Sequence, residues 1–412
     1  MTKLLIIADD LTGAVDLGVQ FAPKGIRSYV CVGAACDVIT LLGQHDVLVV
    51  NSETRHIPPA KAAEVVGRLA RAGRAAGATH FYKKTDSTLR GNVGAELDAL
   101  RQAGGGGPLV FVPAFPKLGR TVIHGFHFVH GVPLHQTAFG EDPLNPMRTN
   151  SVVEILGDQT ETPLRVVDIE SLRSGGSRLS LSGENIQVVD AESDEDLQTI
   201  LQLLRATGHA TPLAGTAAFG ELLADLLPFE RSKCLRGELP KPLVVINGSL
   251  NEVSLRQTAF ARSLGFEQFL LSPELLLEEG RAEPLLAEMA AAVNGGGNVI
   301  LQTVTDRAQA ARYVEAAKQL GWPETEIYLR VAGRLASIAS HLLDRAGGGL
   351  LMIFGGDTFA AMARARRWTG FKPEFEILPG VSCCRTDGAE NRYVVSKAGG
   401  FGGDSLIGEI GL

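Results

Sequence analysis

The chain has 412 residues, 45% of them hydrophobic and 21% charged, which suits two globular domains and excludes a disordered chain. Its formal net charge of -7 gives no overall positive field, so nucleic acid is excluded as a partner while one small anion in a local basic pocket is not. No apolar run approaches a membrane span or a signal peptide, and five cysteines without zinc or CxxC spacing fit a reducing, cytoplasmic setting.

Residues 4–8, Leu-Leu-Ile-Ile-Ala, read as a buried strand. A turn and a helix over 12–22 follow, with Val15, Gly18, Val19 and Ala22 inward. Strands are expected at 46–50, 80–83 and 108–112. Between them lie a helix at 59–76, opened by a Pro-Pro pair, and one at 92–101 with Val93, Leu97 and Leu100 inward. The Gly-, Pro- and His-rich stretch that runs on to about Arg148 has weak helical periodicity and is expected to form a hairpin or an extended active-site loop. The charged, proline-bearing segment 229–242 separates this alternation from a second one, with strands at 243–246, 298–302 and 350–354. The pattern predicts an α/β fold of two domains, 1–232 and 233–412. Each is expected to be a mostly parallel sheet flanked by helices, with the active site in the interdomain cleft.

At the end of the first strand stands Ala8-Asp9-Asp10-Leu11-Thr12-Gly13-Ala14, where ligands of open parallel sheets gather. Two carboxylates there can bind hydroxyls, accept a proton or hold a metal, whereas a helix cap explains only one of them. An aspartyl-phosphate phosphatase wants its aspartates one residue apart, and here they are adjacent. Residues Lys83 to Asn92, KKTDSTLRGN, place three cations, a carboxylate and three hydroxyls in a strand-to-helix turn. Such a turn can grip a carboxylate through arginine and through helix N-terminal N–H groups; the plain alternative is a solvated charged turn. His124, His127, His130 and His135 lack metal-ligand spacing. On strands, 124 and 130 would share one face and 127 and 135 the other, for substrate contact, domain contact or loop structure.

In the second half, glycine turns follow three strands: Asn247-Gly248-Ser249, Gly355-Gly356-Asp357-Thr358, and Lys397-Ala398-Gly399-Gly400. Each could bring backbone N–H groups to a phosphate, although each alone is an ordinary α/β turn. There is no Gly-Lys dipeptide, so this is not a Walker P-loop, and no strand-bound GxGxxG to support a dinucleotide oxidoreductase.

Through IIADDLTGAVDLGVQFA, KKTDSTLRGNVGAELDAL and PAFPKLGRTVIHGFHFVHGVPLHQTAFGEDPLNP, then VVINGSL, FGGDTFAAMARA and VSKAGGFGGDSLI, the sequence resembles the four-carbon acid sugar kinase family over nearly its whole length. The resemblance implies an acid-sugar-binding N-terminal domain, an ATP-binding C-terminal domain, and phosphoryl transfer to the terminal hydroxyl of a tetronate. The opening segment is closer to D-threonate kinases; erythronate and 3-oxo-tetronate are the alternatives. On this basis Asp9, Arg55, Lys83, Lys84, Thr85, Asp86, Ser87 and Arg90 are expected to hold the acid. Asp10 or Asp86 would orient and deprotonate the attacking hydroxyl. Ser249, Gly355, Gly356, Asp357, Thr358, Gly399 and Gly400 would hold ATP, with Mg2+ on its phosphates and no dedicated metal ligands from the chain. A non-catalytic acid-sugar sensor is the rival of another class, and a homo-oligomer is compatible with either.

Overall fold

The computed structural model describes residues 2–411 except 142–145, 176–178, 180–181, 208–211, 233–237 and 279. The chain divides into two compact units, Met1–Cys234 and Leu235–Leu412. It is a two-domain α/β protein.

The first unit contains strands β1 (Leu4–Ala8), β2 (Ser28–Cys31), β3 (Val47–Asn51), β4 (His80–Lys84), β5 (Leu109–Val112), β6 (Arg120–Ile123), β7 (Phe126–Val129), β8 (Val132–Pro133), β9 (Leu164–Val167), β10 (Ile186–Val189) and β11 (Leu213–Gly215). Parallel strands run in the order β2-β3-β1-β4-β11-β5-β10-β9. A strand covered on both faces reads as an unbroken apolar run, and β1, every residue of it buried, is that run. The register matters most for function. Ala8 is level with Asn51 on one side and Lys84 on the other, and Lys84 is level with Gly215. The loops after β1, β3, β4 and β11 therefore leave the sheet side by side at its carboxyl edge, and the strand order reverses beside β1, where such sheets bind ligands.

The first helix is shorter than its periodicity predicts, Leu11–Gly18 rather than 12–22. Pro23 lacks an N–H to continue it, and a 3-10 turn over Ala22–Lys24 ends on the left-handed Gly25. Val15, Gly18 and Val19 are buried as expected, while Ala22 is only half-buried in that turn.

The stretch after β5 forms an antiparallel sheet, β6-β7-β8. Its two hairpins pair Ile123 with Phe126 and Val129 with Val132. Each is closed by a His-Gly pair with positive φ at both residues, His124-Gly125 and His130-Gly131, the backbone of a two-residue hairpin turn. His124 and His130 are thus turn residues, which corrects the expectation that they share a strand face. Of these four histidines His127 alone lies on a strand, fully buried.

The second unit contains β12 (Leu243–Asn247), β13 (Glu267–Leu270), β14 (Val299–Gln302), β15 (Leu350–Phe354), β16 (Gly370–Leu378), β17 (Val381–Thr386) and β18 (Tyr393–Lys397), in the order β13-β14-β12-β15-β18-β17-β16. The strands from β13 to β18 in that order are parallel, and β17 and β16 close the row antiparallel. Its core gathers Val245, Phe266, Ile300, Met352, Val395 and Ile407, each no more than 3% exposed. Asn247 is level with Phe354, and Phe354 with Lys397, so the three glycine turns emerge at one edge. Among the described residues no helix is long and apolar enough to cross a membrane.

Candidate functional site

Arg55, carried by the loop after β3, is the hub of the first unit. Its Nε donates to Asp9 Oδ2 at 2.7 Å, its Nη1 lies 3.1 Å from Asp10 Oδ2, and its Nη2 lies 3.6 Å from Asp86 Oδ1. Burial alone would pull the Arg55 pKa down; the carboxylates of Asp10, Asp9 and Asp86 outweigh it and hold the guanidinium charged well above its ordinary range. Gly91, at φ 92°, lets the next loop close on this hub, since a Cβ there would meet Arg55 backbone and Cγ at 3.2–3.3 Å.

Asp86 is enclosed by its own loop. It accepts from Thr88 Oγ1 at 2.5 Å and from Arg90 through Nε at 2.9 Å and Nη2 at 3.0 Å. Burial would raise its pKa, but Arg90 and Arg55 together hold the carboxyl well below the usual range. A carboxylate held that low is a poor proton acceptor, so the geometry corrects the expectation of Asp86 as a base: it fixes Arg90 and Arg55. Arg90 also stacks 5.5 Å over the Phe139 ring.

Lys83 and Lys84, adjacent on β4, part company because strand side chains alternate. Lys83 Nζ is buried against Glu96 Oε2 at 3.0 Å and donates to Lys84 O at 2.9 Å. It has no free face for a substrate, which corrects its expected role. Lys84 instead reaches the site, 4.0 Å from Asp10 Oδ1. It lies over Gly13, where a Cβ would fall 2.2 Å from Nζ.

Asp10 caps the helix Leu11–Gly18 by accepting from Gly13 N–H at 3.1 Å, as the plain reading holds. It is also the most open carboxylate of the cluster, its side chain 28% exposed against 4% for Asp9 and 9% for Asp86. Asp9 is drawn up by burial but carried below its ordinary value by Arg55, Lys83 and Lys84. The Thr85 N–H donates to Gly215 O, and the Ser87 carbonyl accepts from His127 Nε2 at 3.0 Å.

Several polar atoms here are buried without a partner at hydrogen-bond distance: Asp9 Oδ1, Thr12 Oγ1, Arg55 Nη2, Thr85 Oγ1, Glu96 Oε1 and Arg120 Nε. Buried polar groups are nearly always paired, and such a concentration marks a place for a polar ligand. Thr12, Glu96 and Arg120 were not among the expected residues. Arg120 feels both Asp86 and Arg90, with burial pulling its pKa down. Five cations (Arg55, Lys83, Lys84, Arg90, Arg120) face four carboxylates (Asp9, Asp10, Asp86, Glu96). The cluster can take up one anion that also bears hydroxyls.

In the second unit the turns after β12, β15 and β18 touch. Gly248 admits Thr358, whose Oγ1 would stand 2.0 Å from a Cβ there, and Gly399 admits Ser249 Oγ in the same way at 2.8 Å. The helix Gly356–Ala365 starts after Gly355, at φ 97°, and its first-turn Asp357 is exposed while Thr358 is buried. Ser249 donates its N–H to Asn247 Oδ1 at 3.0 Å, and its Oγ accepts from Asn251 N–H at 3.2 Å. These tight approaches, with a helix N-terminus beside them, give a cradle of backbone groups suited to phosphate. Lys397, which the sequence places in the third glycine turn without a role of its own, is buried beneath it. Among the described residues no group of three or more His, Cys, Asp or Glu could hold a metal.

Residues 4–223 match a family model described as a sugar-binding N-terminal domain, and residues 244–407 one described as a nucleotide-binding C-terminal domain. The chain is 33% identical to a D-threonate kinase of Salmonella typhimurium, over 98% of this chain and 96% of that one. It is 30% identical to a D-erythronate kinase of Heliobacterium modesticaldum, over 98% and 95%, and 30% identical to a 3-oxo-tetronate kinase of Methylobacterium radiotolerans, over 98% and 97%. A solved Salmonella typhimurium protein superposes with a TM-score of 0.80 at 25% identity, covering 98% of each chain. A Haemophilus influenzae structure at 21% identity, with a TM-score of 0.71 and the same coverage, shares the fold.

Proposed function

The chain belongs to the four-carbon acid sugar kinase family and is a phosphotransferase, and we propose that it transfers the γ-phosphoryl group of ATP to the 4-hydroxyl of D-threonate. The observation that carries the acid-sugar half is the buried cluster around Arg55, with one cation in excess and unpaired polar atoms of both kinds. A carboxylate supplies the missing anion, and neighbouring hydroxyls on a short chain can both give and accept hydrogen bonds. Arg90 and Lys84, with Arg120, hold the carboxylate; Thr12, Thr85 and Asp9 read the hydroxyls. Asp10, the most open carboxylate, orients the attacking hydroxyl and accepts its proton.

ATP is assigned to the second unit. The turns at Ser249, Gly355–Thr358 and Gly399–Gly400 pack on one another so closely that Gly248 and Gly399 admit no Cβ, and the N-terminus of the helix Gly356–Ala365 favours negative charge. Mg2+ travels with the nucleotide, since phosphates and water supply most of its ligands. Phosphoryl transfer then asks the protein mainly to position the two substrates and offset charge. D-threonate is preferred because the Salmonella typhimurium D-threonate kinase is 33% identical to the chain, against 30% for the erythronate and 3-oxo-tetronate kinases named above. Thiols rather than disulfides at Cys31, Cys36, Cys383 and Cys384 suit a cytoplasmic site of action.

A coupled ADP-release assay over D-threonate, D- and L-erythronate and 3-oxo-tetronates, each with ATP and Mg2+, tests the reading. D-threonate is expected to give the highest kcat/KM. Faster turnover of another tetronate reassigns the acid; silence on all of them removes the kinase reading.

A further inference from the structure

Lys397 ends β18 and is 1% exposed. A buried ammonium ordinarily needs a carboxylate beside it. Here Nζ donates to Ser254 Oγ at 3.0 Å, Ala398 O at 3.2 Å and Gly399 O at 2.9 Å, and lies 4.4 Å from the centre of the Phe354 ring. None of these is an anion. Three N–H donors thus meet three neutral acceptors, and two of the acceptors are consecutive peptide carbonyls.

That pairing fixes the orientation of the loop. In a trans peptide the C=O and N–H point opposite ways, and both of these peptides are trans. Drawing the 398 and 399 carbonyls inward turns the N–H groups of Gly399 and Gly400 outward. Among the described residues neither N–H is taken by a backbone acceptor. The loop is held there from both sides. Ser254 Oγ donates to Gly399 O at 2.8 Å, and Gly399 packs so closely on Ser249 and Asn251 that a Cβ would come within 2.8–3.0 Å of them. The Lys397 carbonyl in turn accepts from Gly355 N–H at 3.0 Å. One residue therefore braces the turns after β12, β15 and β18 together.

We propose that Lys397 is the positioning residue of the phosphate cradle: its ammonium aims the Gly399 and Gly400 N–H groups at the nucleotide's polyphosphate, which supplies the counter-charge the ammonium lacks. This rests on assigning the nucleotide to the second unit. It carries a consequence in protons. Burial pushes the Lys397 pKa down to about 7, so near and above neutrality the free protein holds this proton only in part. A polyanion on the loop favours the charged form, and nucleotide binding then draws a proton in. The charged groups on the elements packed against Lys397 are Glu252, Arg256 and Arg262, Asp357 and Arg364, Arg385, and Asp404. Arg256 is paired with Asp404 at 3.0 Å and Arg385 with Glu374, and none of these groups contributes to the Lys397 shift, whose cause is burial.

The test is calorimetric titration of the full chain with ADP and Mg2+ at pH 8, in buffers of low and high ionisation enthalpy. The wild type is expected to take up a fraction of a proton on binding. Lys397→Met, which keeps the stem and loses the charge, is expected to bind ADP at least tenfold more weakly with no uptake, while its KM for the acid sugar stays unchanged. Ser254→Ala removes one acceptor and spares the ammonium; it is expected to weaken ADP a few-fold with uptake retained. ADP affinity within twofold of wild type in either folded variant, or unchanged proton uptake in Lys397→Met, overturns the proposal. A misplaced nucleotide site reads differently, because Gly356→Val would then also leave ADP affinity untouched.

Discussion

Lys83→Met separates a structural lysine from a substrate-binding one. The side chains of Lys83 and Glu96 are 0% and 2% exposed, with Nζ 3.0 Å from Oε2. Methionine fills the space of the lysine stem, so the substitution opens no cavity; it removes the charge. Taking one partner from a buried ion pair costs about 3–5 kcal/mol. Glu96 is already raised by burial, with Lys83 pulling it down and Asp9 pushing it up. Deprived of Lys83 it will take up a proton rather than stay a bare buried anion, which holds the loss to that order. Against a typical domain stability of about 5–15 kcal/mol, the loss is large. Adding Glu96→Leu should recover most of it, because replacing both members of a buried pair by apolar groups is close to neutral. Urea unfolding of the wild type, both single variants and the double variant closes the cycle, and a coupling of about 2 kcal/mol or more is expected between the two sites. A Lys83→Met protein that unfolds at the wild-type urea concentration, with a raised KM for the acid sugar, would refute the buried-pair reading and return Lys83 to the substrate.

Three other outcomes are expected. Arg90→Lys cannot reproduce the two-pronged hold on Asp86 or a planar grip on a carboxylate; the acid-sugar KM should rise roughly ten- to a hundredfold, the worth of one charge-assisted hydrogen bond, with the ATP KM unchanged in steady-state assays. Asp10→Asn keeps a helix cap but loses the proton acceptor, so kcat should fall about 10²- to 10⁴-fold, with the thermal midpoint lowered by the lost charge beside Arg55; an unchanged kcat in the folded variant removes Asp10 from the chemistry. His127 is pushed down from 6.5 to about 4 by burial, so above pH 6.5 it is neutral folded or unfolded. Between pH 6.5 and 4 the unfolded chain gains a proton that the native state refuses, and stability falls, by about 3 kcal/mol at the acid end. In urea titrations from pH 7 to 4, His127→Gln should lose that much less than the wild type, and parallel curves would contradict the assignment.

The alternation of apolar runs and helical periods made the two α/β units legible, because parallel strands buried on both faces leave unbroken runs such as Leu4–Ala8. Helix ends were less so: the repeat of small apolar residues continues past Gly18, and it is Pro23 and Gly25 that stop it. A hairpin was one of two readings of the stretch after β5; the positions of its two turns were not legible, because His-Gly is a weaker turn signal than Asn-Gly, although each pair stands directly between the strands it joins. At the site, clustering of Asp9, Asp10, Lys84, Asp86 and Arg90 was readable from motif position. Which member of Lys83-Lys84 faces the ligand was not, since that depends on Glu96 waiting on the next helix to pair with Lys83. Arg120 and Lys397 stand in legible motifs, but their roles were not legible for a related reason: they depend on what surrounds them, the charges of Asp86 and Arg90 for one and a pair of peptide carbonyls for the other.

The proposed reaction moves a phosphoryl group from ATP to the terminal hydroxyl of a four-carbon acid. Phosphorus NMR of the wild-type protein with ATP, Mg2+ and D-threonate measures it directly. The γ-phosphate resonance is expected to decay as a single phosphomonoester grows in equal amount, with that phosphorus coupled to the two hydrogens of C4. Release of inorganic phosphate alone, or a phosphoester on another carbon, would contradict it.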